Sequence, residues 1–276
     1  LSTIINQCCE LIDSPESNKI FNTNSDVQLL ENIRFFHGEK INSNDLGLKL
    51  ANLGDIYVFD AFGTAHREQA STHSAIEQSK IACAGLLLEK ENNFLTKALN
   101  NYEDPYVAVI GGAKVSTKLE LIQHINCVAK NIIVGGGIAN TFISAAGFNV
   151  GNSLIEESMI GVAKEILSDG RILLPKKVIT SKTFEGENIQ EKFIEEIEND
   201  DMILDLCIEK DIYEILSSSK TILWNGPMGA FEIPPFGTAT NALAKIVAAE
   251  TRNNGQISVA GGGDTMAALV NAGVND

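Results

Sequence analysis

Tyr106-Val107-Ala108-Val109-Ile110-Gly111-Gly112-Ala113-Lys114-Val115-Ser116-Thr117-Lys118 joins an apolar run to a glycine turn, then to a helix-like segment carrying Leu119, Leu121, Ile122 and Ile125. Two glycines let a backbone approach a ligand closely, and Lys114 and Lys118 stand four residues apart, on one face of a helix. Ser116 and Thr117 are capping residue types, and the first N–H groups of a helix favour an anion. Strand, glycine turn, helix start and two cations together suggest a phosphate site. An ordinary strand-to-helix turn with solvated lysines fits the same residues.

The grammar of that stretch recurs from about residue 104 onward. Residues 132–134 lead to Gly135-Gly136-Gly137, 222–224 to Asn225-Gly226-Pro227, and 257–260 to Gly261-Gly262-Gly263-Asp264-Thr265. Residues 178–180 and 202–206 are further strand candidates. Strands alternating with helices predict parallel βαβ units in a doubly wound sheet, with ligands outside the carboxyl ends of the strands. Before residue 104 the pattern is fainter: 27–30 precede Glu31-Asn32-Ile33-Arg34-Phe35, and 56–59 precede Asp60-Ala61-Phe62-Gly63. Residues 81–100 are helical in pattern and free of proline, and 86–99 read as a connecting helix. The expected fold class is therefore α/β, with two doubly wound parallel-sheet domains. Residues 1–88 form the first, incomplete one, and 89–276 hold the connecting helix and the second.

Acidic residues outnumber basic ones by 36 to 21, a formal charge of −15, which argues against broad binding to nucleic acid or anionic membrane. A small basic pocket for phosphates remains compatible with that balance. The five cysteines (Cys8, Cys9, Cys83, Cys127, Cys207) show no C-x-x-C spacing, and the four histidines form no ligand-spaced cluster. Neither a disulfide framework nor a zinc site is expected, and a reducing cytosol suits the chain. Apolar runs such as 81–88 are too short to span a bilayer, and no charged-then-apolar leader opens the sequence. The first residue is Leu1, not Met, so an upstream part is expected to be missing. No G-x-x-x-x-G-K-[ST] occurs, which excludes a P-loop NTPase. The Gly135 turn carries Asn140 where a dinucleotide fold needs its third glycine, which disfavours a dehydrogenase.

Four stretches narrow the reading: Asp60-Ala61-Phe62-Gly63-Thr64-Ala65-His66-Arg67, residues 111–118, Trp224-Asn225-Gly226-Pro227, and Gly261-Gly262-Gly263-Asp264-Thr265. They occur in the order seen in phosphoglycerate kinases, with residues 29–35 and 135–142 adding to the match. The chain resembles that family over nearly its whole length. The resemblance implies reversible phosphoryl transfer between 1,3-bisphosphoglycerate and MgADP, giving 3-phosphoglycerate and MgATP in glycolysis. It also implies a cytoplasmic monomer with a glycerate domain, a nucleotide domain and a hinge, and with no nucleic-acid or membrane partner.

By that resemblance Arg34 and Arg67 hold the glycerate's phosphate, a task suited to guanidinium forks. Lys114 and Lys118 serve the nucleotide phosphates, Lys114 nearest the transferred group. Asp264 holds Mg²⁺, and Gly262, Gly263 and Thr265 offer N–H and hydroxyl groups beside it. Glu232 accepts from the ribose, while Gly112, Gly136, Gly137, Asn225, Pro227 and Ala230 frame the rest of the nucleotide site. Lys114, Gly262 and Gly263 are the expected catalytic set. Trp224 reads as core, and His66 as a structural hydrogen-bonding residue, because an ionised carboxylate acceptor needs no general base.

The match also breaks in places. The family's N-terminal Asp-x-Asn loop, catalytic arginine and His-Leu-Gly-Arg motif do not occur, and the chain stops at Asp276, before the family's Thr-Gly-Gly-Gly segment. The expectation is a chain that binds nucleotide but is nearly inactive alone, with exposed sheet edges in its first domain. A nucleotide-binding relative without catalytic competence is the alternative. Asp205-Leu206-Cys207 stands for the family's usual Asp-Ile-Gly, so Cys207 is expected to alter a glycine turn, and Phe59 stands for a common Asn.

Overall fold

The computed structural model describes residues 9–15 and 25–274 and separates into two units, residues 1–95 and 96–276. Cys8 lies outside the described residues.

The first unit holds β1 (Cys9–Ile12), β2 (Val27–Leu30), α1 (Asn44–Ala51), β3 (Tyr57–Phe59), α2 (Ala75–Gln78), β4 (Ala82–Ala84) and the start of α3 (Leu86–Asn100). Strands β1 and β2 pair in parallel, as do β3 and β4, in two separate two-stranded sheets. Among the described residues all four strands are thus edges, and Leu11, Leu29 and Val58 are each at least half exposed. A small core gathers Leu46 and Leu50 of α1 with Ala70 and Ala75. The helical pattern expected over 81–100 holds only from Leu86. Residues 82–84 pair instead with β3, because a short apolar run satisfies either period until a neighbouring strand claims it. The division between the units falls inside α3, at residues 95 and 96.

In the second unit, β5 (Tyr106–Ile110) is buried along its whole length, as a strand covered on both faces must be. Around it run α4 (Leu119–Val128), β6 (Asn131–Val134), α5 (Gly136–Ala145), α6 (Ile160–Leu167) and β7 (Ile172–Leu173). After these come β8 (Lys177–Ser181), β9 (Gln190–Phe193), β10 (Met202–Leu206), α7 (Lys210–Ser218), β11 (Thr221–Asn225), α8 (Thr238–Asn254), β12 (Ile257–Gly261) and α9 (Gly263–Asn271). Five strands form one parallel sheet in the order β12-β11-β5-β6-β7. Its core includes Trp224, Tyr106 and Phe142, all fully buried, so Trp224 is core as expected.

Strands β8 and β10, expected as strands at 178–180 and 202–206, do not join that sheet. They form a separate antiparallel sheet in the order β10-β8-β9. Only residues 182–189 link β8 to β9 and only 194–201 link β9 to β10. The β8–β9 link suits a hairpin and is too short for the usual parallel crossover, while the second carries the chain past β8 to its other edge, so that β9 and β10 flank β8. The β10 ladder slips between Ile203 and Asp205, a bulge that sets Leu204 apart from the regular pairing.

Asp205, 1 % exposed, reaches from β10 to the start of α8, where its carboxylate accepts from the N–H of Ala239 at 3.0 Å. Burial pushes this carboxyl up to about 7, against the pull of the Ala239, Leu206 and Thr238 N–H groups. Between its ordinary value of 3.8 and about 7, the folded chain keeps a proton that the unfolded chain has released. Stability from this group therefore falls as pH rises across that window, by up to about 1.4 kcal/mol per pH unit. Thermal melts at pH 5 and pH 7.5 should show this slope flattened in Asp205→Asn. An unchanged slope would reassign the effect. Cys207 next door has no left-handed backbone, and its N–H continues to Lys177 O at 3.2 Å, so this turn does not call for glycine.

Candidate active site

The glycine turns after β5, β6, β11 and β12 open at the carboxyl end of the parallel sheet, as the βαβ rule requires. They border a cleft with about 730 Å³ of free space in the second unit. Gly112, Gly136, Gly137, Pro227, Ala230, Glu232 and Asp264 line it, and the antiparallel sheet supplies Met202, Ile203 and Leu204. Leu154 and Phe184 add an apolar side to the lining. Gly136 and Gly137 begin α5 pressed against the neighbouring turn: a Cβ on Gly137 would lie 2.3 Å from Ala113 O. Glycine at this position therefore serves helix packing as well as any ligand.

Lys118 is half-buried, and its ammonium donates to Gly111 O at 2.5 Å and to Asn225 O at 2.8 Å. The carbonyls of the β5 and β11 turns thus fix one cation between them. Desolvation pulls the Lys118 pKa down, and the Asp264 carboxylate pulls it back up. Lys114 is exposed and lies before the helical turn Ser116–Lys118, so the two lysines do not share a helical face, and neither is among the residues lining the cleft.

Ser116 and Thr117 do not cap α4. Thr117 donates back to Lys114 O at 2.8 Å, and the Ser116 N–H goes to the Glu156 carboxylate at 2.9 Å, with its hydroxyl on the same carboxylate. Glu156 is held in turn through its own N–H to Thr141 Oγ1, which donates to Gly137 O at 2.9 Å. The hydroxyl and N–H of Ser116 pull the Glu156 pKa below its ordinary value. The anion that the residue 111–118 stretch attracts at its helix start is thus the chain's own carboxylate. Nothing local to residue 156 signalled that role, because the partner lies forty residues away.

At α9 the backbone is open. Gly262 adopts φ 97°, and a Cβ on Gly263 would meet nothing within 4 Å, so there is room beside the start of the helix. Asp264, exposed, stands in the first turn. Thr265 is fully buried, and its hydroxyl accepts from Gly226 N at 2.7 Å and donates to Gly261 O at 2.8 Å. That hydroxyl ties β11 to β12, which leaves Thr265 only its backbone N–H for an anion.

Residues 2–276 match the protein family described as "Phosphoglycerate kinase". The chain belongs to the phosphoglycerate kinase family. It is 46% identical over 254 residues to the phosphoglycerate kinase of Haemophilus influenzae (strain PittGG), covering 91% of this chain and 65% of that protein. The phosphoglycerate kinase of Mannheimia succiniciproducens is 45% identical over the same shares. The solved phosphoglycerate kinase of Coxiella burnetii superposes with a TM-score of 0.79 at 40% identity, covering 91% of this chain and 66% of that one. That of Pyrococcus horikoshii OT3 gives 0.83 at 29% identity, with 98% and 72% covered. The chain spans about two thirds of the length of these phosphoglycerate kinases.

In the first unit, Arg34 is exposed beside a small hollow lined by residues 34–38, Lys40 and Ile41. Arg67 sits before a π-helical turn, Ala70–Ser74. Buried Glu39 binds the two segments, accepting from Ser71 Oγ at 2.6 Å and Ser71 N at 3.0 Å. Asn42 adds a bond from Ser74 Oγ at 2.7 Å. His66 is exposed and makes no hydrogen bond among the described residues, which removes the structural role expected of it.

Glu198, Asp200 and Asp201 form the metal-like carboxylate cluster among the described residues. Lys182 and Lys192 balance two of its three charges, with Lys192 Nζ 2.8 Å from Asp201, so it ties β8, β9 and β10 together. No described helix is long and apolar enough to cross a membrane. Cys83, Cys127 and Cys207 are free thiols.

Proposed function

We propose that the cleft of the second unit binds MgADP or MgATP, and that the chain carries this half of a reversible phosphoryl transfer between 1,3-bisphosphoglycerate and ADP. The observation that carries the reading is Asp264, on a helix start lining the glycine-walled cleft, close enough to act electrostatically on Lys118, which two turn carbonyls pin.

In this reading Lys118 and the N–H groups of Gly262 and Gly263 bind and orient the nucleotide phosphates. Lys114, whose side chain is exposed, reaches the group in transit. Glu232 accepts from the ribose hydroxyls, and the glycines with Ala230 and Pro227 leave room for a flat base. Arg34 and Arg67, on segments joined by Glu39, take the phosphate of the glycerate. The acceptor oxygen is already ionised, so positioning and charge balance supply the catalysis and no proton has to be removed. Asp264 fits a hard dication, since magnesium bound to phosphates takes only one or two protein carboxylates. When bound there, Mg²⁺ would neutralise charge on the phosphate oxygens. A cytosolic monomer is the proposed working state.

Calorimetric titration with ADP, with and without Mg²⁺, tests this on the chain and on Asp264→Ala. Magnesium should strengthen binding to the parent chain, and the variant should lose most of that gain, about tenfold for a charge-assisted contact. If the magnesium effect survives in Asp264→Ala, the metal assignment is wrong.

A further inference from the structure

Asn140 lies on α5, three residues after Gly137 and four after Gly136, on the face that lines the cleft. It is 2 % exposed. Its Nδ2 donates to Leu154 O at 3.2 Å, but its Oδ1 has no hydrogen-bond partner among the described residues. Turning the amide over would set Oδ1 against the Leu154 carbonyl, acceptor against acceptor, so the Leu154 bond settles which atom is left over. Buried acceptors are almost always paired, and this one belongs to a residue of the cleft wall. Leu154, Phe184, Met202 and Leu204 give the same cleft the apolar lining that a flat base needs.

We propose that Asn140 is a base-specificity residue, its Oδ1 accepting a hydrogen bond from the exocyclic amine of a 6-aminopurine bound in the cleft. The inference rests on the nucleotide reading above and adds the identity of the base. A 6-amino group donates to Oδ1. A 6-oxo group, as in guanine, presents a second acceptor, and rotating the amide to suit it would break the bond to Leu154. A purine with hydrogen at position 6 leaves Oδ1 as it is. Adenine nucleotides therefore bind best, and both alternatives bind less well.

The test is calorimetric titration of the chain with the magnesium complexes of ADP, GDP and purine riboside 5′-diphosphate. The parent chain should bind ADP about three- to tenfold more tightly than either other diphosphate, the usual value of one hydrogen bond. In Asn140→Leu, and in the smaller Asn140→Ala, the three should bind within about twofold of one another. Equal binding of all three by the parent chain would overturn the proposal, whatever the variants do. So would a folded variant that keeps the preference for ADP. Failure of all three to bind the parent chain would sink the nucleotide reading itself and this inference with it, an outcome distinct from binding without discrimination.

Discussion

Gly111→Ala is expected to destabilise the second unit by at least about 3 kcal/mol and to abolish nucleotide binding. A Cβ at Gly111 would lie 1.8 Å from Pro227 O and 2.8 Å from Gly226 O, both backbone atoms of the turn after β11. Such atoms cannot rotate away as a side chain can, so relief requires β5 and β11 to part at their carboxyl ends. Their ladder is continuous through Asn225 and Ile110, and Gly111 N–H extends it to Asn225 O at 2.9 Å. The same movement would pull both carbonyls off Lys118 and displace Gly112 and Pro227, which line the cleft. For a unit of this size, the loss corresponds to a fall in melting temperature of roughly 6–12 °C or more. Gly161 is the control: it lies in α6, and a Cβ there would meet nothing within 4 Å. Gly161→Ala should be neutral, or stabilising by up to about 1 kcal/mol. Scanning calorimetry of the two variants decides the matter, and similar melts would show that the β5 and β11 turns are not packed backbone to backbone.

The parallel sheet was legible because each of its central strands is a buried, β-branched run closed by a glycine turn. Burial on both faces writes itself into composition at that spot. Residues 178–180 and 202–206 look much the same, yet they belong to an antiparallel sheet. What separates them is the length of the links and the polar strand Gln190–Phe193, which has no hydrophobic signature to announce it. The candidate site divides in the same way. Gly112, Gly136, Gly137 and Asp264 stood out by motif, because turn chemistry is local. Glu156, Glu39, Leu154 and Phe184 did not, because each acts on a partner distant in sequence, and only the fold brings the pair together. Thr265 shows the converse. Its type and place suggest an anion contact, but the neighbouring strand consumes its hydroxyl.

Lys118→Met should weaken MgADP binding about ten- to a hundredfold, the range for a lost charged hydrogen bond, and should also destabilise the unit. An ammonium has three N–H donors. Gly111 O and Asn225 O take two, which leaves one for a ligand and fixes its direction. Methionine nearly preserves the length of the side chain but strips two carbonyls of a donor at once, so stability and affinity fall together. Arginine restores charge without a point ammonium at that spot. Gly226 allows little extra bulk, since a Cβ there would already lie 2.6 Å from Lys118 Nζ, so Lys118→Arg should rescue neither property fully. The pH dependence separates charge from packing. Burial lowers the Lys118 pKa, so its charge is lost at a lower pH than that of a solvated lysine. Binding to the parent chain is therefore strong below that depressed pKa and weakens as pH rises through it, while Lys118→Met should show no such alkaline decline. Titrations between neutral pH and the alkaline limit of folding check the sign. If the parent and the methionine variant lose affinity in parallel, the Lys118 cation is not the group that meets the phosphates.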